Sequence, residues 1–212
     1  MLSIVRLAHQ KYAEIETDFV SRHRGEINGY WKVKKNDTDY HKLKFNNDYE
    51  NPLILVQGWN KLKDFYNLPN NVQVNLIFHG SNEFEVQSVK EVLSPNEIPP
   101  FHSRSLLPQR TAVFDFELTR INIQVPKFRL GQDLGSFLQT SHFDYLVLCG
   151  DNGQKFNIHL LNINNVDRMK LGYNWEHICN CLNFNDGNVI RFKFELKSGN
   201  AISSRCHLMK LA

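Results

Sequence analysis

Residues 57–78, QGWNKLKDFYNLPNNVQVNLIF, return without a gap as residues 173–194, YNWEHICNCLNFNDGNVIRFKF, at a constant offset of 116. Trp59 falls on Trp175, Leu62 on Ile178, Asn67 on Asn183 and Leu68 on Phe184. Val74, Leu76 and Phe78 fall on Ile190, Phe192 and Phe194. A large anchor, a short amphipathic turn, a polar turn and an alternating strand are repeated in order. An internal repeat takes precedence over other signals, because overlooking one misassigns the fold. The period is far too long for a solenoid, so it describes two copies of one domain.

The chain of 212 residues allows each copy about 90, enough for a modest core of its own. The expected division is 1–90 for the first copy, 91–110 for a linker and 111–212 for the second. Residues 88–110 hold four of the seven prolines and show no regular pattern, hence the linker. No apolar run approaches the roughly 20 residues needed to span a bilayer, and residues 1–12 lack the pattern of a secretory signal. No membrane partner is expected.

Charge is balanced. Lys plus Arg number 25 against 22 for Asp plus Glu, giving a net charge of +3. That is not the strongly basic footprint of many nucleic-acid binders, so any cationic surface must come from arrangement. Cys149, Cys179, Cys181 and Cys206 form no CxxC pair and are expected to be reduced thiols. The nine histidines show no zinc-ligand spacing. No G-x-G-x-x-G, Walker loop, nucleophile elbow or paired-carboxylate motif appears. The expectation is a non-enzyme without cofactor, metal or small-molecule substrate.

Along each copy, short runs alternate apolar and polar residues, the mark of half-buried strands. Examples are 29–35, 39–45, 53–56, 73–78 and 84–86 in the first copy, and 113–118, 145–150 and 155–161 in the second. Leu62 and Phe65 are spaced to share one helical face. About seven strands and two short helical segments per copy imply a closed or nearly closed sheet. The expected fold is mainly β: two tandem seven-stranded open barrels, each with two short helices. Trp59 and Trp175 read as core anchors rather than stacking platforms. In RFKF, Arg191 and Lys193 are expected on the outside.

The repeated stretch resembles the plant-type B3 DNA-binding domain, whose pattern is a strand, Gly-Trp, a short helix, an Asn-Leu-x-x-Gly-Asp turn and a strand. LILVQGWNKLKDFYNLPNNVQVNLIF carries it in the first copy, with Asn70-Asn71 where the family has Gly-Asp. RMKLGYNWEHICNCLNFNDGNVIRFKF carries it in the second, with Asn174 in place of Gly. The family's apolar-x-Ile-Pro and Phe segment is matched by IQVPKF at 123–128, and only loosely by AEIETDF at 13–19, where Glu16 replaces Pro.

The resemblance implies a nuclear, sequence-specific transcription regulator. It would read the major groove of double-stranded DNA with two polar arms per copy, alongside protein partners in a transcription complex. By position the second copy's arms are 118–122 and 162–170, and the first copy's are 9–12 and 46–51. The candidate contacts are Thr119, Arg120, Asn122, Lys127, Asn162, Asn164, Asn165, Arg168 and Lys170, with Lys11, Tyr12, Asn46 and Asn47 in the first copy. Arg can fork onto guanine, Asn can pair with adenine, and Lys suits phosphate. Asp48 and Glu50 weaken the first copy's arms, so the second copy is expected to be the main reader. The alternative is a degenerate module that works through protein contacts with weak or no DNA binding.

Overall fold

The computed structural model describes residues 1–8, 10–36, 38–108, 110–196 and 202–211. His9, assigned to the first arm, and Gln109 lie outside the described residues. The chain divides into two units, Met1–Leu107 and Pro108–Ala212. Among the described residues, no helix is long and apolar enough to cross a membrane.

The first unit runs β1 (Leu2–Arg6), β2 (Tyr12–Ile15), α1 (Thr17–Arg22), β3 (Tyr30–Lys34), β4 (Tyr40–Lys44), β5 (Leu53–Leu55), α2 (Val56–Tyr66), β6 (Val72–Gly80) and β7 (Glu83–Glu91). The second runs β8 (Thr111–Glu117), α3 (Arg120–Gln124), β9 (Phe128–Arg129), α4 (Gln132–Ser141), β10 (Tyr145–Gly150), β11 (Lys155–Leu161), β12 (Lys170–Leu171), α5 (Trp175–Cys181), β13 (Val189–Leu196) and β14 (Ile202–Lys210). Each unit is mainly β and holds one seven-stranded sheet, as the alternation in the sequence predicts. Among the described residues the second carries three short α-helices rather than two, because residues 120–122 of the first arm open one of them.

The hydrogen-bonded orders are β4-β3-β7-β6-β1-β2-β5 and β8-β13-β14-β10-β11-β12-β9. Written as circles, with β1 matched to β8 and so on to β14, the two orders are the same. They open at different places. The first sheet opens between β4 and β5, and a single bridge between Phe45 and Ile54 nearly closes it. The second opens between β8 and β9. There, described ladder bonds are replaced by α3 and an edge-on contact of Phe116 with Phe128, ring centres 5.8 Å apart.

The repeat has a local physical cause in both units. Asn67 and Asn183 end the two anchor helices with φ of 48° and 54°, the left-handed conformation that Asn tolerates. Leu68 N–H then closes on Lys63 O, and Phe184 N–H on Cys179 O, each at 2.9 Å. Gly58 and Asn174, directly before the two tryptophans, are also left-handed, with φ of 92° and 81°. Trp59, Leu62, Val74 and Leu76 enter one core, and Trp175, Ile178, Ile190 and Phe192 the other. Phe65 departs from expectation. It is 47% exposed where Leu62 is 1% exposed. The inward stripe of α2 is Trp59, Leu62 and Tyr66, which leaves Phe65 beside it, against the His41 ring at 4.8 Å.

Part of the proline-rich stretch packs onto the first unit. Val92, Ile98 and Phe101 cluster with Val5 and Leu7. The Glu14 carboxylate, buried beneath, accepts from Ser103 N–H at 2.7 Å and from Gln10 Nε2 at 2.8 Å. A buried carboxylate is tolerated only when paired in this way.

Lys193 corrects a second expectation. It is fully buried, with Val113 and His207 as its ladder neighbours, while Arg191 stays nearer the surface. Arg191 forks onto Asp115, Nε–Oδ1 at 2.7 Å and Nη2–Oδ2 at 2.6 Å. That hydrogen bond, with the guanidinium charge, holds the Asp115 carboxyl below its ordinary range. A carboxyl lowered by folding stabilises above its unfolded pKa and loses that contribution as pH falls through the folded value. Both groups are partly solvated, so Asp115→Asn is expected to cost about 0.5 kcal/mol at neutral pH. Thermal melts from pH 7 to pH 2 should bring wild type and variant together at the acid end. A gap that persists there refutes the pairing's role.

All four cysteines are free. Burial, then the charge of Glu176, pushes the Cys179 thiol up to about 12, and burial raises that of Cys206 as well.

Candidate nucleic-acid interface

The two units spend their arm residues differently. In the first, Gln10 accepts from Leu7 N–H at 3.0 Å and donates to Glu14 at 2.8 Å, so the segment before β2 is folded back on itself. Lys11 is exposed, and Tyr12 is the first residue of β2, opposite Leu55. In the second arm, Asn46 donates to Asn51 O at 2.8 Å and accepts from Asp48 and Leu53 N–H, each at 3.1 Å. Asn47 accepts from Gly29 N–H at 2.6 Å. Asp48 accepts from Glu50 and Asn51 N–H, both at 3.0 Å. The polar groups of Asn46, Asn47 and Gln10 therefore serve the loops themselves.

In the second unit the 118–122 arm carries the start of α3. Thr119 caps it. Its Oγ1 accepts from Asn122 N–H at 3.3 Å, and Asn122 Oδ1 accepts from Thr119 N–H at 3.1 Å. This reciprocal box assigns Thr119 and Asn122 to holding the helix start. Asn122 O also accepts from Trp175 Nε1 at 2.9 Å, which ties the arm to the core anchor. Arg120 and Ile121 remain outward, and Ile121 is 73% exposed.

The 162–169 loop is braced by Asn162, left-handed at φ 60°, whose Nδ2 donates to Arg168 O at 3.1 Å. A 3₁₀ turn, Val166–Arg168, completes it. Asn162, Ile163, Asn164, Asn165 and Arg168 line one shallow cavity of about 350 Å³. Four predicted residues are thus brought together.

Lys170 and Lys127 lie at the β9/β12 ladder. Phe128 pairs with Leu171 and both are buried, so their neighbours Arg129 and Lys170, paired one step along, project from the outer face side by side. Like charges directly opposite on a ladder repel. Arg129 Nη2 also donates to Asp167 O at 2.7 Å, tying β9 to the 3₁₀ turn. Arg129 is missing from the sequence-derived set. Its signal was present: it follows the inward Phe128 of IQVPKF and must alternate outward. Lys127 is at the other end of the ladder, its Nζ 4.1 Å from the centre of the Tyr173 ring. The Lys127 hydrogen bond and charge lower the ionisation range of Tyr173. β9 and β12 run antiparallel, so the two arms approach this pair from opposite ends.

Fold and site together define a tandem mainly-β protein with two seven-stranded units, the second bearing an exposed cationic rim beside its open seam. No family model matches the chain, and no curated protein matches it. Among solved structures it is similar to that of a hypothetical protein from Arabidopsis thaliana. The identity is 10%, the TM-score 0.39, and the match covers 48% of this chain and 91% of that one.

Proposed function

We propose that the chain is a B3-like, sequence-specific DNA-binding protein of the nucleus, a transcription regulator whose second unit is the main reader. The observation that carries this is the outward Arg129–Lys170 pair beside the Asn164, Asn165 and Arg168 cavity. Two adjacent cations without a carboxylate between them are stabilised by a bound anion, and a polyanion backbone supplies one. Arg168, Asn164 and Asn165 have the donor and acceptor geometry for base edges, and Ile121 beside Arg120 suits a thymine methyl. Asp167 offers its backbone oxygen to Arg129, and a carboxylate can accept from a cytosine amine. The internally bonded arms of the first unit support a lesser role for that unit in reading duplex DNA.

Site selection from a random duplex pool on the full chain, followed by salt titration, tests this. Each phosphate contact removed lowers the slope of log K against log salt by about 0.9. Arg129→Ala with Lys170→Ala is expected to flatten the slope by about 2 and weaken all duplexes alike. Arg168→Ala is expected to relax base preference at one position, by about 1–3 kcal/mol. Unchanged affinity and slope in these variants eliminate the assignment, and absence of any selected site in the wild type favours the protein-contact alternative.

A further inference from the structure

The first unit carries a cationic surface of its own, on the ladder that leads into its 46–51 arm. On the β3/β4 ladder, Trp31 pairs with Leu43 and both are buried. The residues between them alternate outward: Tyr30 opposite Lys44, Lys32 opposite Lys42, and Lys34 opposite Tyr40. Four lysines and two tyrosines thus interleave on one face. A cleft of about 640 Å³ runs from this face to the start of α2, and Tyr30, Lys32, Tyr40, His41, Lys42 and Lys61 line it. Its volume falls within the roughly 300–1,000 Å³ of small-ligand sites.

Among the described residues, no acidic side chain lines the cleft. Near it, Glu83 pairs with Lys32 at 3.2 Å and Asp39 with Lys35 at 3.4 Å. Lys42 and Lys61 have no ion pair among the described residues. His41 Nε2 is buried and lacks a hydrogen-bond partner among the described residues. Burial, then the charge of Lys35, holds that ring below the ordinary histidine range, with Asp39 opposing and Lys61 adding to it. Tyr30 is 50% exposed.

We propose that this cleft binds a short stretch of single-stranded nucleic acid, its phosphates against Lys32, Lys42 and Lys61 and a base against Tyr30. Lysine is a compact cation suited to phosphate, and every base has a face that can stack on an aromatic ring. A duplex hides its base faces and is too wide for a concave cleft between a strand and a helix. An acidic peptide would meet the lysines and leave the tyrosines idle. This site goes beyond the proposed duplex reading, since it lies in the other unit and uses none of the same residues.

The test is fluorescence anisotropy of the full chain with a labelled oligothymidylate, alongside a duplex of equal length and an oligoglutamate competitor. Lys42→Ala with Lys61→Ala is expected to weaken single-strand binding at least tenfold and to flatten its salt slope by about 1.4. Tyr30→Ala is expected to weaken it about tenfold with the slope unchanged. All three residues are exposed or at the surface, and thermal melts establish that the variants fold. Arg129→Ala with Lys170→Ala should leave single-strand binding intact, which separates this site from the duplex reader. The proposal is overturned by a wild type that ignores the oligothymidylate, by loss-free binding in the lysine variant, or by oligoglutamate displacing the strand at equal concentration.

Discussion

Gly58→Ala is expected to destabilise the first unit by about 3 kcal/mol or more. Two effects combine. The backbone is left-handed, at φ 92°, where an L side chain is strained. An added Cβ would also overlap the carbonyl oxygen of Lys42 and lie 3.0 Å from its carbonyl carbon. Both are main-chain atoms of β4, so relief requires moving the helix off the sheet. Gly58→Asn separates the effects, because Asn174 holds the matching position in the second unit at φ 81°. If strain alone matters, Asn should be nearly neutral. The close approach of α2 to β4 predicts that Asn is as damaging as Ala. Urea unfolding read by tryptophan fluorescence, to which Trp31 and Trp59 contribute in this unit, measures both, and a midpoint within error of wild type for Gly58→Asn refutes the collision.

Trp175→Ala is expected to cost the second unit about 3–5 kcal/mol. Trp175 is fully buried, stacked on Phe128 at 4.5 Å and near Phe192 at 6.2 Å. Alanine leaves a cavity bounded by strands β9 and β13, neither of which can move in without breaking its ladder. The indole N–H also holds Asn122 O at 2.9 Å, so the variant should loosen α3 and weaken duplex binding. Trp175→Phe keeps much of the volume and loses the hydrogen bond, with an expected cost of about 1 kcal/mol or slightly more. Circular dichroism in urea reads the stability, and duplex titration reads the arm. A Trp175→Ala protein that unfolds at the wild-type midpoint shows that the tryptophan is no anchor.

Much of the fold was legible because it is written at short range. Val74, Leu76 and Phe78 announce β6 by alternation alone, and Asn67 and Asn183 mark helix ends by tolerating a left-handed backbone. The candidate site was legible in part. Asn162, Asn164, Asn165 and Arg168 lie close together in sequence and stay together in space. Arg129 was missed because its importance comes from Lys170, 41 positions away, across a two-residue ladder. Thr119 and Asn122, expected as contacts, also cap a helix start, a role that needed α3 to be recognised as a helix. Lys193 looked exposed because alternation gives the face of a strand but not what covers that face.

The sequence by itself determined two copies of a seven-stranded β unit, with matching anchors, helix ends and core positions, since periodicity and φ preference act between near neighbours. Only the tertiary structure decided where each ring of strands opens, at β4/β5 in one unit and β8/β9 in the other. It also decided which cations stand side by side on β9/β12 and on β3/β4. Such choices rest on pairings between residues far apart in the chain, where a small difference in ladder energy selects among arrangements that local sequence permits equally.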